Sequence, residues 1–223
     1  MGETMKLGNV LVIASLLFGA IAMGCDDDDT DADAGADAGT DTGVMVDTGP
    51  GTDTGEAMYP CAYPDAPYGT RAGRMFEPFT LNACDGTPYD FVNEDFCDPS
   101  HTMTVISIAA GWCPPCIVES EQLTEEITER YRAQGVRVIQ VLTQTEDYNA
   151  PDGAWCDAWV ERFNLTNVEL IDPDQITGIY FPDGVLPSTI IVDANGMIRF
   201  RENGATEGLI TLRAAIEDVL ENP

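Results

Sequence analysis

Trp112-Cys113-Pro114-Pro115-Cys116 sets two cysteines three positions apart, between an apolar run and a stretch with helical periodicity. Thiols at that spacing can carry out thiol–disulfide exchange. A sulfur at a helix N-terminus feels the positive end of the backbone dipole, which favours thiolate over thiol. With Cys113 as the cap, Pro114 and Pro115 fill the first two helical positions and have no N–H to offer. The nearest backbone donor for the Cys113 sulfur is then the N–H of Cys116. One helical turn brings the sulfurs within disulfide reach, with Cys113 expected to be exposed and Cys116 beneath it. Cys113 can then attack a partner disulfide, and Cys116 can resolve the mixed disulfide. A zinc site would need a second cysteine pair or paired histidines, and His101 is the only histidine. No metal and no cofactor is expected. A structural disulfide would explain neither the strand-to-helix position nor the Trp and Pro neighbours. His101 itself sits in a loop, where a lone histidine is expected to be solvated and silent.

These residues need a strand in front of them and a helix behind. Met103 to Ala110 is an apolar, β-branched run of strand length, suited to the buried middle of a sheet. Pro114 to Gln134 reads as helix, with Leu123, Ile127 and Tyr131 at four-residue spacing and Gly135 as the stop. Val136 to Leu142 is the next strand, Ala154 to Phe163 a second helix, and Val168 to Ile171 a short strand. Ser188 to Val192 and Met197 to Arg201 flank the turn Asp193-Ala194-Asn195-Gly196. Leu209 to Leu220 closes the chain with an amphipathic helix. Upstream, Phe76 to Leu81 and Thr87 to Val92 flank Asp85-Gly86 and read as a β-hairpin. The expected fold class is α/β: a central mixed sheet flanked by helices, with an amino-terminal hairpin extension.

The chain has 223 residues, with 10 Lys and Arg against 39 Asp and Glu and a formal charge of −29. That balance excludes nucleic-acid binding through the phosphate backbone, which needs clustered cations. Lys6 precedes an apolar stretch, Val10 to Met23, too short to span a membrane and suited to a secretory signal. The small residues before Cys25 resemble the lipobox of bacterial lipoproteins, and that resemblance implies acylation at Cys25. Asp26 to Glu56 carries eleven acids and no base or aromatic residue, so it should be a disordered, extended tether. Its three Asp-Thr-Gly triplets lack the strand context of an aspartic protease and read as low complexity. The expected organisation is a signal at 1–24, a tether at 25–58 and a folded domain at 59–223.

The motif after an apolar strand, with Gly184-Val185-Leu186-Pro187-Ser188-Thr189 and then Asp193-Ala194-Asn195-Gly196 downstream, resembles the thioredoxin superfamily. More narrowly it resembles the TlpA/ResA type of membrane-anchored thiol–disulfide oxidoreductase, over Phe76 to Leu220. The resemblance implies a thioredoxin-like fold, with Cys113 as nucleophile and Cys116 as resolving thiol. It implies that Pro187 is the cis-proline beside the disulfide, leaving the Leu186 backbone free to pair with a bound peptide. Trp112 matches the aromatic residue before the first cysteine. Glu119 matches an acidic residue near the active site. It also shares a helix face with Cys116 and could take up its proton, though a carboxylate placed only to suit the helix dipole is an equal alternative. Ser107 stands where thioredoxins carry a buried Asp, so no acid at that position can serve. Ala110 replaces the Thr of peroxiredoxins, and the cysteine spacing differs from that of copper-delivery relatives.

Cys61, Cys84, Cys97 and Cys156 remain as structural disulfide candidates and suit an exported protein. They allow three pairings. Cys84 with Cys97 and Cys61 with Cys156 is the preferred one, and a second redox pair is the alternative. Between Glu94 and Glu126 there are seven acids and no Lys or Arg, so thiolate stabilisation should be modest. The expected function is a lipid-anchored reductase in the bacterial cell envelope, its domain in the periplasm or otherwise outside the cytoplasm. Its expected partners are exported disulfide-containing proteins, apocytochrome c among them, and a membrane thiol electron donor. The alternatives are an oxidase or isomerase on the same site, and a non-catalytic scaffold or metal carrier.

Overall fold

Met103–Ala109 (β3) is buried along its whole length, as a strand covered on both faces must be. The structure, a computed structural model, describes residues 61–204 and 209–223. The expected signal, Cys25 and the acidic tether lie outside the described residues. β3 pairs in parallel with Val136–Leu142 (β4) and antiparallel with Ser188–Asp193 (β6). Val168–Ile171 (β5) continues the parallel set beside β4, and Ile198–Asn203 (β7) closes the other edge beside β6. Thr80–Ala83 (β1) and Pro88–Asp90 (β2) form the expected hairpin, shorter than its sequence pattern. Phe76 is instead tied by its N–H to the Gly196 carbonyl at 2.8 Å and lies in the core. The hairpin is not an appendage. β1 pairs with β5 through Asn82↔Ile171 and Ala83↔Leu170, giving a seven-stranded sheet in the order β2-β1-β5-β4-β3-β6-β7.

Pro114–Leu123 (α1) does not run on as one regular helix. It passes into a π-helical stretch, Thr124–Thr128, then Glu129–Tyr131 (α2) and a 3-10 turn, Arg132–Gln134. Leu123, Ile127 and Tyr131 are all buried. At 3.6 residues per turn, a four-residue spacing drifts about 40° around a helix at each step. The wider π turn cancels that drift and keeps the three side chains over the sheet. Gly153–Phe163 (α3) is capped by Asp152, which accepts the Trp155 N–H at 2.8 Å, and ends at Asn164 in the left-handed region. Ile210–Glu221 (α4) buries Leu212, Ile216 and Val219.

The parity of β3 sorts the two faces. Ser107 points to α1, whereas Thr104 donates to Asp95 in the turn after β2, on the opposite side. α1 and α3 share one face, since Ser120 and Trp159 both hydrogen-bond Gln140 of β4. Aromatic rings of Phe76, Phe79, Phe91 and Tyr180 pack together, Phe76 stacking on Tyr180 at 5.1 Å.

The structural disulfides are Cys61–Cys97 and Cys84–Cys156, which overturns the preferred pairing of Cys84 with Cys97 and Cys61 with Cys156. Cys84 and Cys97 lie at opposite ends of the hairpin, one at its turn and one beyond its open end. Because β1 pairs with β5, the end of β1 meets the start of α3, where the Cys84 carbonyl leaves no room for a Cβ at Gly153. Cys156 is one turn further along. Tyr63 packs edge-on against Phe96 at 4.7 Å, which carries Cys61 to Cys97. His101 also departs from the expected solvated state, being largely covered, with Nε2 3.5 Å from Asp98.

Candidate active site

Cys113 caps α1, with Pro114 and Pro115 in the first two helical positions and the Cys116 N–H donating to Cys113 Sγ at 3.2 Å. The two cysteines form a disulfide across a Cα–Cα distance of 5.3 Å. The strand end, the cap and the sole nearby donor are as the spacing implies. The expected exposure of Cys113 is not: it is only 2% exposed and Cys116 is fully buried. The Cys113 sulfur, bonded to Cys116 and accepting its N–H, lies covered at the helix N-terminus.

Trp112 stands beside this pair in a fixed frame. Its Nε1 donates to Gln144 Oε1 at 2.9 Å, and its ring stacks on Tyr148 at 5.1 Å with an interplanar angle of 16°. Tyr148 is 64% exposed and has φ 62°. Sequence patterning missed Gln144 and Tyr148, because both sit in an aperiodic loop after β4. The loop comes so close that Gly111 has no room for a side chain. A Cβ there would lie 2.7 Å from both Glu146 N and Trp155 Cζ2. Gly111→Ala should therefore push the loop off Trp112, at a cost of about 1–3 kcal/mol in unfolding free energy. Urea unfolding with tryptophan fluorescence reads both effects. An unchanged midpoint and spectrum would mean that the loop yields freely.

The Leu186–Pro187 peptide is cis, as the resemblance implies. Ser188 pairs with Ile108, so the register carries Pro187 and Leu186 to the end of β3 that leads into Cys113. The Pro187 carbonyl accepts the Gly204 N–H at 2.7 Å, while Leu186 enters no backbone hydrogen bond among the described residues.

Glu119 lies in the second turn of α1, not in the first turn where a carboxylate would suit the helix dipole, and it is buried. Ser107 Oγ donates to its Oε1 at 2.5 Å. The position where thioredoxins carry an acid is thus served from the helix instead. Burial pushes the Glu119 carboxyl up to about 7, with the negative charge of Glu202 adding and the Ser107 hydrogen bond opposing. A group that titrates there can exchange a proton near neutral pH. It lies three residues, about one turn, after Cys116 on α1. Ser120 Oγ also donates to the Cys116 carbonyl at 2.9 Å and ties the same turn to Gln140.

A buried strand delivers a capped dithiol, with a cis-proline at the same end of the sheet and a buried acid one turn on. That combination defines a thioredoxin-like exchange site. The Redoxin family model matches residues 71–220, and the chain belongs to that family. It is an enzyme of thiol–disulfide exchange, similar to the proteins ResA and DsbE. The thiol-disulfide oxidoreductase ResA of Geobacillus thermodenitrificans is 30% identical over 133 residues, covering 56% of this chain and 72% of ResA. The thiol:disulfide interchange protein DsbE of Escherichia coli K12 is 26% identical over 133 residues, covering 59% of this chain and 65% of DsbE. Among solved structures, a secreted thiol-disulfide isomerase of Corynebacterium glutamicum aligns with TM-score 0.54 at 17% identity, over 67% of this chain and 86% of that one. A secreted disulfide oxidoreductase of Mycobacterium tuberculosis aligns with TM-score 0.50 at 19% identity, over 63% of this chain and 95% of that one. These structures share the fold.

Proposed function

We propose that this protein is a reductase of disulfides in exported proteins, apocytochrome c among them, held at the cell envelope by a lipid on Cys25. In this reading Cys113 is the nucleophile and Cys116 the resolving thiol. Glu119 takes the Cys116 proton, and Trp112, Leu186 and Pro187 meet the substrate. A membrane thiol carrier restores the dithiol. The observation that carries the direction is the sulfur environment. Among the described residues Cys113 Sγ has one backbone donor, the Cys116 N–H, and the two prolines supply none. The chain from Glu94 to Glu126 has seven acids and no Lys or Arg. A thiolate so weakly stabilised makes the dithiol a good reductant.

The test is the reduction potential of the Cys113–Cys116 couple in the full chain, equilibrated against glutathione and dithiothreitol buffers. A value near about −270 mV, that of thioredoxin, is expected. A value near about −120 mV would make the protein an oxidase. No reversible couple at all would leave a scaffold or carrier as the reading.

A further inference from the structure

We infer that Glu202 on β7 is the outlet through which Glu119 exchanges its proton with solvent. The inference rests on the exchange chemistry proposed above and extends it to a positioning residue outside the motif.

One polar row crosses the sheet beneath α1. Ser107 pairs with Thr189, and Thr189 pairs with Glu202. Directly paired residues on neighbouring strands project from the same face, and strands lie about 4.7–4.9 Å apart. Glu202 therefore stands two strands from Ser107, on the face to which Glu119 is hydrogen-bonded. In the other direction the row is closed. Gln140, paired with Ser107, is held by Trp159 and Ser120, and Glu169 beyond it is buried. β7 is the edge strand, and Glu202 is the most exposed member of the row.

The Glu202 charge raises Glu119, and partial burial raises Glu202 itself. The neighbouring charges are otherwise engaged. Arg201 alternates to the other face of β7, where it binds the Tyr180 carbonyl, and Arg199, at a bulge in β7, is held by Asp193. On α4, Arg213 pairs with Glu126 and Glu217 accepts from Tyr131. Glu121 of α1 is exposed.

The step balances as follows. Cys116–SH gives its proton to the Glu119 carboxylate, and the Cys116 thiolate attacks Cys113 of the mixed disulfide. The Cys113–Cys116 bond forms, the bond to the partner breaks, and the partner sulfur leaves as thiolate with the electron pair. Glu119 passes its proton to the Glu202 carboxylate along the row in which Ser107 and Thr189 stand. Glu202 releases it to water, and the partner thiolate takes a proton from water. The partner disulfide is reduced and Cys113–Cys116 is oxidised.

The experiment uses the full chain with Glu202→Gln. It follows the Glu119 carboxyl by carbon-13 NMR against pH, and the resolving step by stopped flow with a disulfide peptide. The Glu119 midpoint should fall by several tenths of a pH unit, and the resolving step should slow by about fivefold near pH 7. Glu202→Asp should retain most of the rate. Thr189→Val, which keeps both carboxylates, should slow the step without removing their coupling, and it decides the matter if Glu202→Gln unfolds. An active wild type with an unchanged Glu202→Gln midpoint and rate overturns this inference alone. A wild type that exchanges no disulfides overturns the proposed function and this inference together.

Discussion

Cys116→Ser should convert the protein from a turnover enzyme into a trap. Cys113 would still attack a substrate disulfide, but the mixed disulfide would have no internal thiol to break it. The trapped adduct should survive non-reducing electrophoresis, and mass spectrometry should place it on Cys113. Cys113→Ser should form no adduct and should lose turnover by about a thousandfold or more, because no attacking thiolate remains at the helix cap. The asymmetry follows from the site. Cys113 holds the cap at the end of α1, where the helix N-terminus favours its thiolate, whereas Cys116 lies one turn inside the helix. Adducts on Cys116 in the Cys113→Ser variant would overturn the assignment of the two roles.

Glu119→Gln should change both the pH profile and the stability. Its folded carboxyl lies near 7, against an ordinary value of 4.5. The folded state therefore holds a proton that the unfolded chain has released between those values. Stability from this group is greatest below about pH 4.5, falls as pH rises toward 7, and is level above it, a total of about 3 kcal/mol. Gln is a neutral isostere, so the variant should lose that slope and gain up to about 3 kcal/mol above pH 7. Asp95, Glu169 and Glu202 are also raised by burial and slope in the same sense. The comparison is therefore the difference between wild type and variant in urea unfolding from pH 4 to 8. The same variant should slow the resolving step about a hundredfold near neutrality and erase the midpoint near 7. A variant whose stability and rate profiles overlay the wild type would show that the buried carboxyl neither carries charge nor moves protons.

Much of the site was legible because its parts are local. A cysteine pair three apart with prolines between them sets its own cap geometry, and an apolar β-branched run sets its own strand. The Asn-Gly and Asp-Gly turns fold as their backbone preferences require, at Gly196 with φ 79° and Gly86 with φ 84°. The helix after the motif was legible in extent but not in kind, because the π turn arises from fitting Ile127 and Tyr131 to the sheet. Gln144 and Tyr148 had no periodic signal to reveal them.

By itself, then, the sequence determined the chemistry: the dithiol, its single backbone donor, the cis-proline position through resemblance, and the order of strands and helices along the chain. Tertiary structure alone decided which distant cysteines pair, since β1 docks on β5 and carries Cys84 to Cys156 rather than to Cys97. It decided that Cys113 is covered where it caps α1. It also decided that Glu119 is buried against Ser107, in line with Thr189 and Glu202. Each of these depends on which strands become neighbours, and strand neighbours are chosen by the packing of the whole sheet rather than by any stretch of chain within it.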